Sequence, residues 1–232
     1  MKPQAFTDSE KAKLRRLCGE FAERWIQAIE TLEWAVESKD RQIQELVDRL
    51  EDRREAHDQL RRMVQDVSLP ALRVACNYVL DHPRFSTHCG STDKHHSYPG
   101  GLVVHTCEVA SYALHMAQMF PDADQDAVLT AAIFHDFMKV EDYGKLPREP
   151  GFFNTSYRDL VRHVAGSHAE FMRLIHGCDV PAITVLKIEH AILAHHGRKE
   201  WGSPIEPQTL EAHILHYADM LSVKYGPGRG RR

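Results

Sequence analysis

Histidines and carboxylates recur in the second half of this sequence at positions where they can share a metal ion. The 232-residue chain carries 16 histidines. His105 lies one turn into an apolar helical segment, the pair His135-Asp136 closes the apolar helix AVLTAAIFHD, and Asp219 sits within the apolar stretch ILHYADML. A carboxylate buried without a partner is strongly destabilising, so both aspartates need a cation or an ion pair nearby. Together these residues predict coordination of a divalent transition metal.

Three short motifs occur in order around these residues. They are HSYPGGLVVHT at residues 96–106, HDFMK at residues 135–139 and AHHG at residues 194–197. With the closing segment around Asp219, they resemble the HD-domain metal-dependent phosphohydrolase superfamily. Across roughly residues 70–225 the sequence is most similar to that of bacterial HD-domain 3′-to-5′ exoribonucleases. That family carries a small nucleic-acid-binding barrel ahead of the HD domain, where this sequence has a charged helical segment instead.

The resemblance implies a metal centre for one or two ions. Asp136 would belong to a first ion site and bridge to the second. His196 is an alternative to His195, because adjacent helical residues point about 100° apart and only one should face the ion. The histidine-rich ligand set favours Mn, Fe, Co, Ni or Zn over Mg. The residues that the resemblance assigns to metal are His105, His135, Asp136, His163, His195 and Asp219.

Catalytic roles are expected for Asp136, Lys139 and His96. Lys139 follows His135 by four residues, where its ammonium could neutralise phosphate charge in the transition state. His96 matches the family motif and is expected to contact the scissile phosphate or to protonate the leaving oxygen. His196 and Lys139 are also expected to bind substrate. The predicted reaction is hydrolysis of a phosphate ester by water activated at the metal centre.

The leading prediction for function is a phosphodiesterase or nuclease acting on nucleic-acid 3′ ends or short oligonucleotides. One alternative is a nucleotide or cyclic-nucleotide phosphohydrolase, and a second is a non-catalytic oligomeric interaction module. The formal net charge of −4 excludes a chain coated with basic residues. A local basic groove could still hold single-stranded nucleic acid.

The elements that position these residues are predicted to be helical, so the fold class is all-α: an HD-domain helical bundle preceded by a long heptad-patterned segment. Thr7-Asp8-Ser9-Glu10 has the form of a capping box. From residue 22 to residue 67, apolar residues recur alternately three and four apart. This pattern predicts either one coiled-coil helix or a hairpin folded near Ser38-Lys39-Asp40, and we expect a homo-oligomer formed through it.

The chain is predicted to divide into three segments. A helical oligomerisation segment covers residues 1–68, the HD domain covers residues 69–225, and a flexible basic tail covers residues 226–232. No convincing strands are found, and residues 141–156 are expected to form a lid whose aromatic residues Tyr143, Phe152 and Phe153 stack on bases. Helices within the HD domain are predicted at about residues 70–80, 102–117, 125–139, 157–176, 181–196 and 207–224.

The sequence also predicts a cytoplasmic protein without a membrane partner. Its five cysteines are scattered and form no C-x-x-C motif, so neither a disulfide framework nor a zinc knuckle is expected. The N-terminus has no apolar signal region, and no apolar run approaches the ~18 residues of a membrane span.

Overall fold

The computed structural model of the chain describes residues 7–18, 20–147 and 151–225. The chain divides into two compact units, Met1–Leu50 and Glu51–Arg232. The tail predicted at residues 226–232 lies outside the described residues. Within the described ranges, no helix is both long enough and apolar enough to cross a membrane.

Two helices form the N-terminal unit: α1 (Asp8–Cys18) and the start of α2 (Glu20–Gln65). The predicted capping box is present, because the Thr7 amide donates to the Glu10 carboxylate at 2.8 Å and the Glu10 amide donates to Thr7 Oγ1 at 3.3 Å. Helix α2 runs uninterrupted through residues 38–40, so the hairpin predicted there is wrong.

The chain instead reverses direction between α1 and α2. Lys11 pairs with Glu30 at 2.9 Å, and Arg15 pairs with Glu23 at 2.7 Å. In one straight helix Lys11 and Glu30 would be about 28 Å apart, at 1.5 Å per residue. Helix α1 therefore packs alongside the first turns of α2.

The apolar heptad residues of α2 differ in burial along the helix. Its apolar residues from Leu32 to Leu50 are exposed, including Ile43 at 58% and Leu46 at 59%. Leu60 and Val64, by contrast, are fully buried in the core of the second unit. Residues 51–68 thus pack with the HD segment, and the unit boundary lies 18 residues before the one predicted at residue 68. The heptad side chains of Ala22, Trp25 and Ile29 lie outside the described set.

Six longer helices surround the core of the second unit and confirm the all-α prediction. Helix α4 packs against both α5 and α10, and α9 packs against α5, α8 and α10. The core contains large apolar side chains such as Phe134, Phe171, Ile188 and Leu215. The helices are α3 (Pro70–Asp81), α4 (Gly101–Gln118), α5 (Gln125–Phe134), α8 (His163–Ile175), α9 (Ala182–Ala194) and α10 (Leu210–Tyr225).

The segment predicted as an irregular lid contains a small β-hairpin. After the short helix α6 (Lys139–Asp142), strand β1 (Tyr143–Lys145) pairs antiparallel with β2 (Phe152–Asn154). The expectation of no strands is wrong here, because three residues are too few to show an alternating pattern. Gly144 fits under the ring of Phe153, whose Cζ would lie 2.4 Å from a Cβ at residue 144.

The helix predicted at residues 157–176 is interrupted. Helix α7 (Ser156–Leu160) ends before Arg162, which has φ 66°, and α8 then begins at His163. No proline or glycine marks this break, so residue types did not predict it. The interruption places His163 at the N-terminus of a new helix. A single-turn 3₁₀ helix, Lys199–Trp201, follows α9.

Candidate metal centre

Helix ends and inward helix faces bring the predicted ligands to one place. His105 lies in the first turns of α4, and Asp219 lies in α10, which packs against it. The residues directly after α5 and α9 are His135 and His195. All six residues that the sequence assigns to metal therefore meet in the interior of the second unit.

The protein fixes the orientation of four imidazole rings. In each ring Nδ1 lies within hydrogen-bonding distance of a protein oxygen, which leaves the lone pair of Nε2 facing the centre when the ring is neutral. A hydrogen bond at one ring nitrogen selects the tautomer in this way at metal sites. The pairs are His105 Nδ1 with Ser222 Oγ (2.8 Å), His135 Nδ1 with the Ala132 carbonyl (2.7 Å), His163 Nδ1 with Asp142 Oδ2 (2.7 Å) and His195 Nδ1 with the Ile192 carbonyl (2.7 Å).

Asp136 directs its two carboxylate oxygens to different histidines. Oδ2 lies 3.2 Å from Nε2 of His105 and 3.4 Å from Nε2 of His135. Oδ1 lies 3.3 Å from Nε2 of His163 and 3.7 Å from Nε2 of His195. The side chain is 2% exposed. Asp136 can therefore contribute one oxygen to each of two neighbouring ions.

Within the described residues, ligand atoms form three groups that are each compact enough for one ion: His95, His96 and His105, and two clusters that contain the predicted ligands. The first cluster consists of His105, His135 and Asp219, and the second consists of Asp136, His163, His195 and His196. Within the described residues, four buried atoms of the second cluster make no hydrogen bond: Asp136 Oδ1, His163 Nε2, His195 Nε2 and His196 Nδ1. Unsatisfied buried polar atoms are costly, so this donor set fits a bound cation.

The first cluster shows the same preference for a cation. Nε2 of His105 and Nε2 of His135 lie 3.3 Å apart. If both rings are neutral, two lone pairs face each other at this distance. Burial lowers the pKa of His105, but hydrogen bonds with Asp136 and Asp219 outweigh it and raise that pKa to about 9. The surroundings of His105 Nε2 thus favour a positive charge.

The second cluster keeps His195 and His196 neutral. Burial, with the neighbouring His196 and His135, holds the pKa of His195 well below its ordinary value. Burial and His163 lower the pKa of His196 to about 4. Neutral imidazole is the form that binds a metal ion. Both His195 and His196 offer a ring nitrogen to this cluster, so the choice between them stays open.

Lys139 lies beside the ligands, as the sequence predicts. Its Nζ is 2.5 Å from Asp136 Oδ2, and the residue is 7% exposed. It lines a cavity of about 350 Å³ that opens onto the second cluster. We call this space the metal cavity. The cations Lys94, Arg158 and Arg162, which the sequence did not single out, line it too.

His96 is less favourably placed than predicted. Its Nδ1 lies 3.2 Å from Nδ1 of His95, its Nε2 lies 3.2 Å from the Glu108 carboxylate, and the residue is 2% exposed. Within the described residues, the lining of the metal cavity includes His95 but not His96. Ring nitrogens of His95, His96 and His105 nevertheless lie within 4.8 Å of one another, and contact between His96 and a scissile phosphate stays a prediction. His95, not His96, lies three residues before Tyr98. An H-x-x-Y spacing could therefore have identified His95 from the sequence.

Sequence reasoning missed the residues that hold the ligands. Asp142 is 1% exposed and binds His163 through both Nδ1 and the backbone amide. Ser222 donates its hydroxyl proton to the Glu108 carboxylate at 2.6 Å, so it accepts a hydrogen bond from His105 Nδ1 at 2.8 Å. Nothing in the sequence distinguishes Asp142 from its neighbour Glu141, since only packing decides which carboxylate turns inward.

The predicted aromatic lid is only partly at the cavity. Tyr143 lines the metal cavity. The ring of Phe152 instead packs against His88, with centroids 5.5 Å apart, and Phe153 lies over Gly144 with 47% exposure. Neither phenylalanine is among the residues that line the metal cavity in the described structure.

Comparisons with known proteins agree with this geometry. The chain is similar to the 3′-5′ exoribonuclease YhaM of Bacillus subtilis, with 33% identity over 143 residues that cover 60% of this chain and 44% of that protein. The YhaM of Bacillus pumilus is 28% identical over 176 residues, which cover 72% of this chain and 54% of that protein. The chain spans about half the length of the curated relatives it matches. No solved structure matches it significantly.

Two family models match. One, described as "Putative helicase", matches residues 42–128. The other, described as the HD domain, matches residues 102–224, which is more than half of the chain. That range contains every residue of the two clusters. Because the match and the converging histidines and aspartates coincide, the chain belongs to the HD domain family.

Proposed function

We propose that this chain is a metal-dependent phosphodiesterase that removes nucleotides from the 3′ ends of single-stranded nucleic acid. The observation that carries the proposal is the position of Asp136, whose two oxygens face two adjacent clusters of buried imidazole nitrogens. Paired ions bridged in this way are suited to phosphoryl transfer, because they stabilise both the attacking and the leaving oxygen.

In this proposal the first ion is held by His105, His135, Asp136 and Asp219. The second is held by Asp136, His163 and His195, with His196 at its exposed side. When bound, the ions supply Lewis-acid activation of water and neutralise charge on the phosphate. The histidine-rich donor set favours Mn, Fe, Co, Ni or Zn.

The remaining residues of the metal cavity have separate roles in the proposal. Lys139, Arg158 and Arg162 bind the phosphate, since all three line the cavity and carry positive charge. Burial, with His105 and Lys139, lowers the pKa of His95 to about 2, so this ring is neutral at pH 7 and accepts a proton poorly. We assign His95 to hydrogen bonding with substrate rather than to acid catalysis.

Two features support a nucleic-acid end as the substrate. The relatives in two Bacillus species are named 3′-5′ exoribonucleases. The metal cavity, at about 350 Å³, is at the small end of ligand pockets, which span about 300–1,000 Å³. A cavity of this size suits one terminal nucleotide.

A turnover screen tests the proposal. The purified chain is incubated with Mn and with single-stranded RNA, single-stranded DNA, cyclic nucleotides or nucleoside triphosphates. We expect 5′-labelled single strands to shorten one nucleotide at a time, and a blocked 3′ end to prevent shortening. Asp136→Asn protein purified in parallel excludes a contaminating nuclease. Hydrolysis of mononucleotides alone would contradict the proposal and favour the nucleotide phosphohydrolase.

We also propose that the protein is a cytoplasmic homo-oligomer. The apolar residues of α2 between Leu32 and Leu50 are exposed in the single chain, and a heptad stripe of this length is typical of a helix that pairs with another copy.

A further inference from the structure

A second groove lies beyond the turn that carries His195 and His196. It has a volume of about 860 Å³ and runs between that turn, the 3₁₀ helix and the outer face of α10. Its lining is rich in aromatic side chains, which are Trp201, His213, His216, Tyr217 and Tyr225. We call it the aromatic groove.

The rings of the aromatic groove are exposed to solvent. Trp201 is 50% exposed, Tyr217 is 57% exposed and Tyr225 is 77% exposed. His213 and Tyr217 are one helical turn apart on α10, with nearly parallel rings at an interplanar angle of 19°. Trp201 lies at 30° to His216. Because about half or more of each of Trp201, Tyr217 and Tyr225 is exposed, part of each of these rings is accessible for stacking.

The aromatic groove adjoins the metal cavity. Trp201 lines both spaces. His216, beneath the groove, has Nδ1 2.8 Å from the carbonyl of His195, a residue of the second cluster. The two spaces therefore lie on either side of Trp201, within the length of a short single strand.

Charge differs between the two spaces in a way that suits phosphate in one and bases in the other. Four Lys and Arg side chains and three aspartates, Asp93, Asp142 and Asp159, line the metal cavity, so its lining keeps one net positive charge. In the aromatic groove, Arg198 lies over the Trp201 ring at 5.0 Å, and Glu200 and Glu206 offset the positive charge of Arg198 and Lys224. Attraction for phosphate is consequently weaker there, and the ring faces dominate.

We propose that the aromatic groove is a base-stacking subsite for the single strand whose 3′ end occupies the metal cavity. The proposal rests on the proposed nuclease function and specifies its substrate: a strand several nucleotides long, bound by its bases upstream of the scissile bond. It replaces the stacking platform that the sequence predicted at Phe152 and Phe153. Stacking on aromatic side chains is sequence-tolerant, because every base has a π-face.

Direct binding tests the subsite without requiring turnover. A 5′-fluorescein single strand of about ten adenosines, protected from cleavage by phosphorothioate linkages, is titrated with the full chain in Mn, and anisotropy is recorded. A matched abasic strand presents the same phosphates without bases. We expect Tyr217→Ala to weaken binding of the adenosine strand by about five-fold or more, and to leave binding of the abasic strand unchanged. Tyr217→Phe should restore the affinity.

Phe120→Ala is the matched control, since Phe120 is 46% exposed and lies outside the groove lining. It should bind both strands as the unchanged protein does. Equal affinity of Tyr217→Ala and the unchanged protein for the adenosine strand would overturn the subsite while leaving the nuclease proposal intact. Failure of the unchanged protein to bind any single strand would overturn both. A change in oligomeric state on Tyr217→Ala, measured by light scattering without loss of affinity, would show a protein interface instead.

Discussion

Asp136 is the residue on which both clusters depend, because each of its carboxylate oxygens faces a different one. Asp136→Asn replaces one carboxylate oxygen by an NH2 group that cannot bind a cation, and it removes the negative charge. We expect this variant to retain the least metal of any single substitution and to lose phosphodiesterase activity by more than the roughly 10–100-fold that is typical of changes behind a ligand. Elemental analysis and hydrolysis of a chromogenic phosphodiester measure the two effects. Near-normal turnover would show that the site is misassigned.

Ser222 should affect metal affinity although it is not one of the assigned ligands. Its hydroxyl oxygen lies 2.8 Å from Nδ1 of His105, and its hydroxyl proton is donated to the Glu108 carboxylate. Ser222→Ala removes the group that fixes the tautomer of His105, so metal affinity should fall about 10–100-fold. Isothermal titration with Mn measures it, with Ser111→Ala as the control because Ser111 bonds the Cys107 carbonyl away from both clusters. Equal affinity of the two variants would contradict this role.

At the residue scale, the sequence predicted the residues that converge but not those that orient them. Histidines and aspartates among apolar neighbours stand out because their burial needs a partner. Asp142, Glu108 and Ser222 are common residue types in ordinary positions, and only the packing of distant helices turns them inward. The position of His95 has a similar cause, since the positive φ of His96, 51°, lets these two adjacent rings both pack against His105.

Gly197 is needed at the turn after α9 for two separate reasons. Its φ is +84°, and a Cβ there would lie 2.2 Å from the His216 ring. Gly177 has a similar φ of +73° but nothing within 4 Å of such a Cβ. Gly177→Ala should therefore cost about 1–2 kcal/mol of stability from backbone strain alone, and Gly197→Ala should cost more and also lower metal content. Thermal unfolding measures the loss of stability, and elemental analysis measures the metal content. Equal losses of stability in Gly177→Ala and Gly197→Ala would exclude a steric effect at Gly197.

Glu211 ties α10 to two other helices. It is 2% exposed, pairs with Lys187 of α9 at 2.7 Å and accepts from the Asp124 amide, at the start of α5, at 3.1 Å. Burial raises its pKa, but these hydrogen bonds outweigh burial and lower the pKa below 4.5. A lowered folded-state pKa stabilises the fold above the unfolded-state pKa, and this stability is lost as pH falls through the folded value.

Glu211→Gln should accordingly reduce the free energy of unfolding by about 2 kcal/mol at pH 7. The difference from the unchanged protein should shrink as pH falls through the lowered folded-state pKa of Glu211, where the carboxylate itself becomes neutral. Urea unfolding at several pH values measures it, with the exposed Glu206→Gln as the control. A difference independent of pH would mean that the carboxylate charge is not involved.

At the scale of elements, the periodic helices were predictable and the interruptions were not. The capping box and the three-four spacing reflect local physics, so they identify α1 and α2. The division of α2 near residue 50 depends on which other helices cover its apolar face, and the heptad pattern is the same on both sides. The hairpin at residues 143–154 and the break at Arg162 are likewise fixed by tertiary contacts rather than by local preference.

At the scale of the whole molecule, the proposed oligomerisation rests on the exposed apolar residues of α2. Ile43, Leu46 and Leu50 are between 53% and 59% exposed. Replacing all three by serine should dissociate the assembly to a monomer, detected by light scattering, while the unfolding temperature of the second unit stays the same. Leu160→Ser, at a single residue 84% exposed outside the stripe, should leave the assembly unchanged. An assembly that survives the triple substitution would place the interface elsewhere.

The metal centre takes residues from helices that are far apart in the chain: His105 on α4 and Ser222 on α10 are 117 residues apart yet in direct contact. Protein synthesis proceeds from the N-terminus, and a domain folds as a unit once its elements are available. A nascent chain on the ribosome thus lacks Asp219 and the partner of His105 until α10 has emerged. We expect the growing polypeptide to be inert toward the transcript being translated, with activity beginning only when the last helix docks.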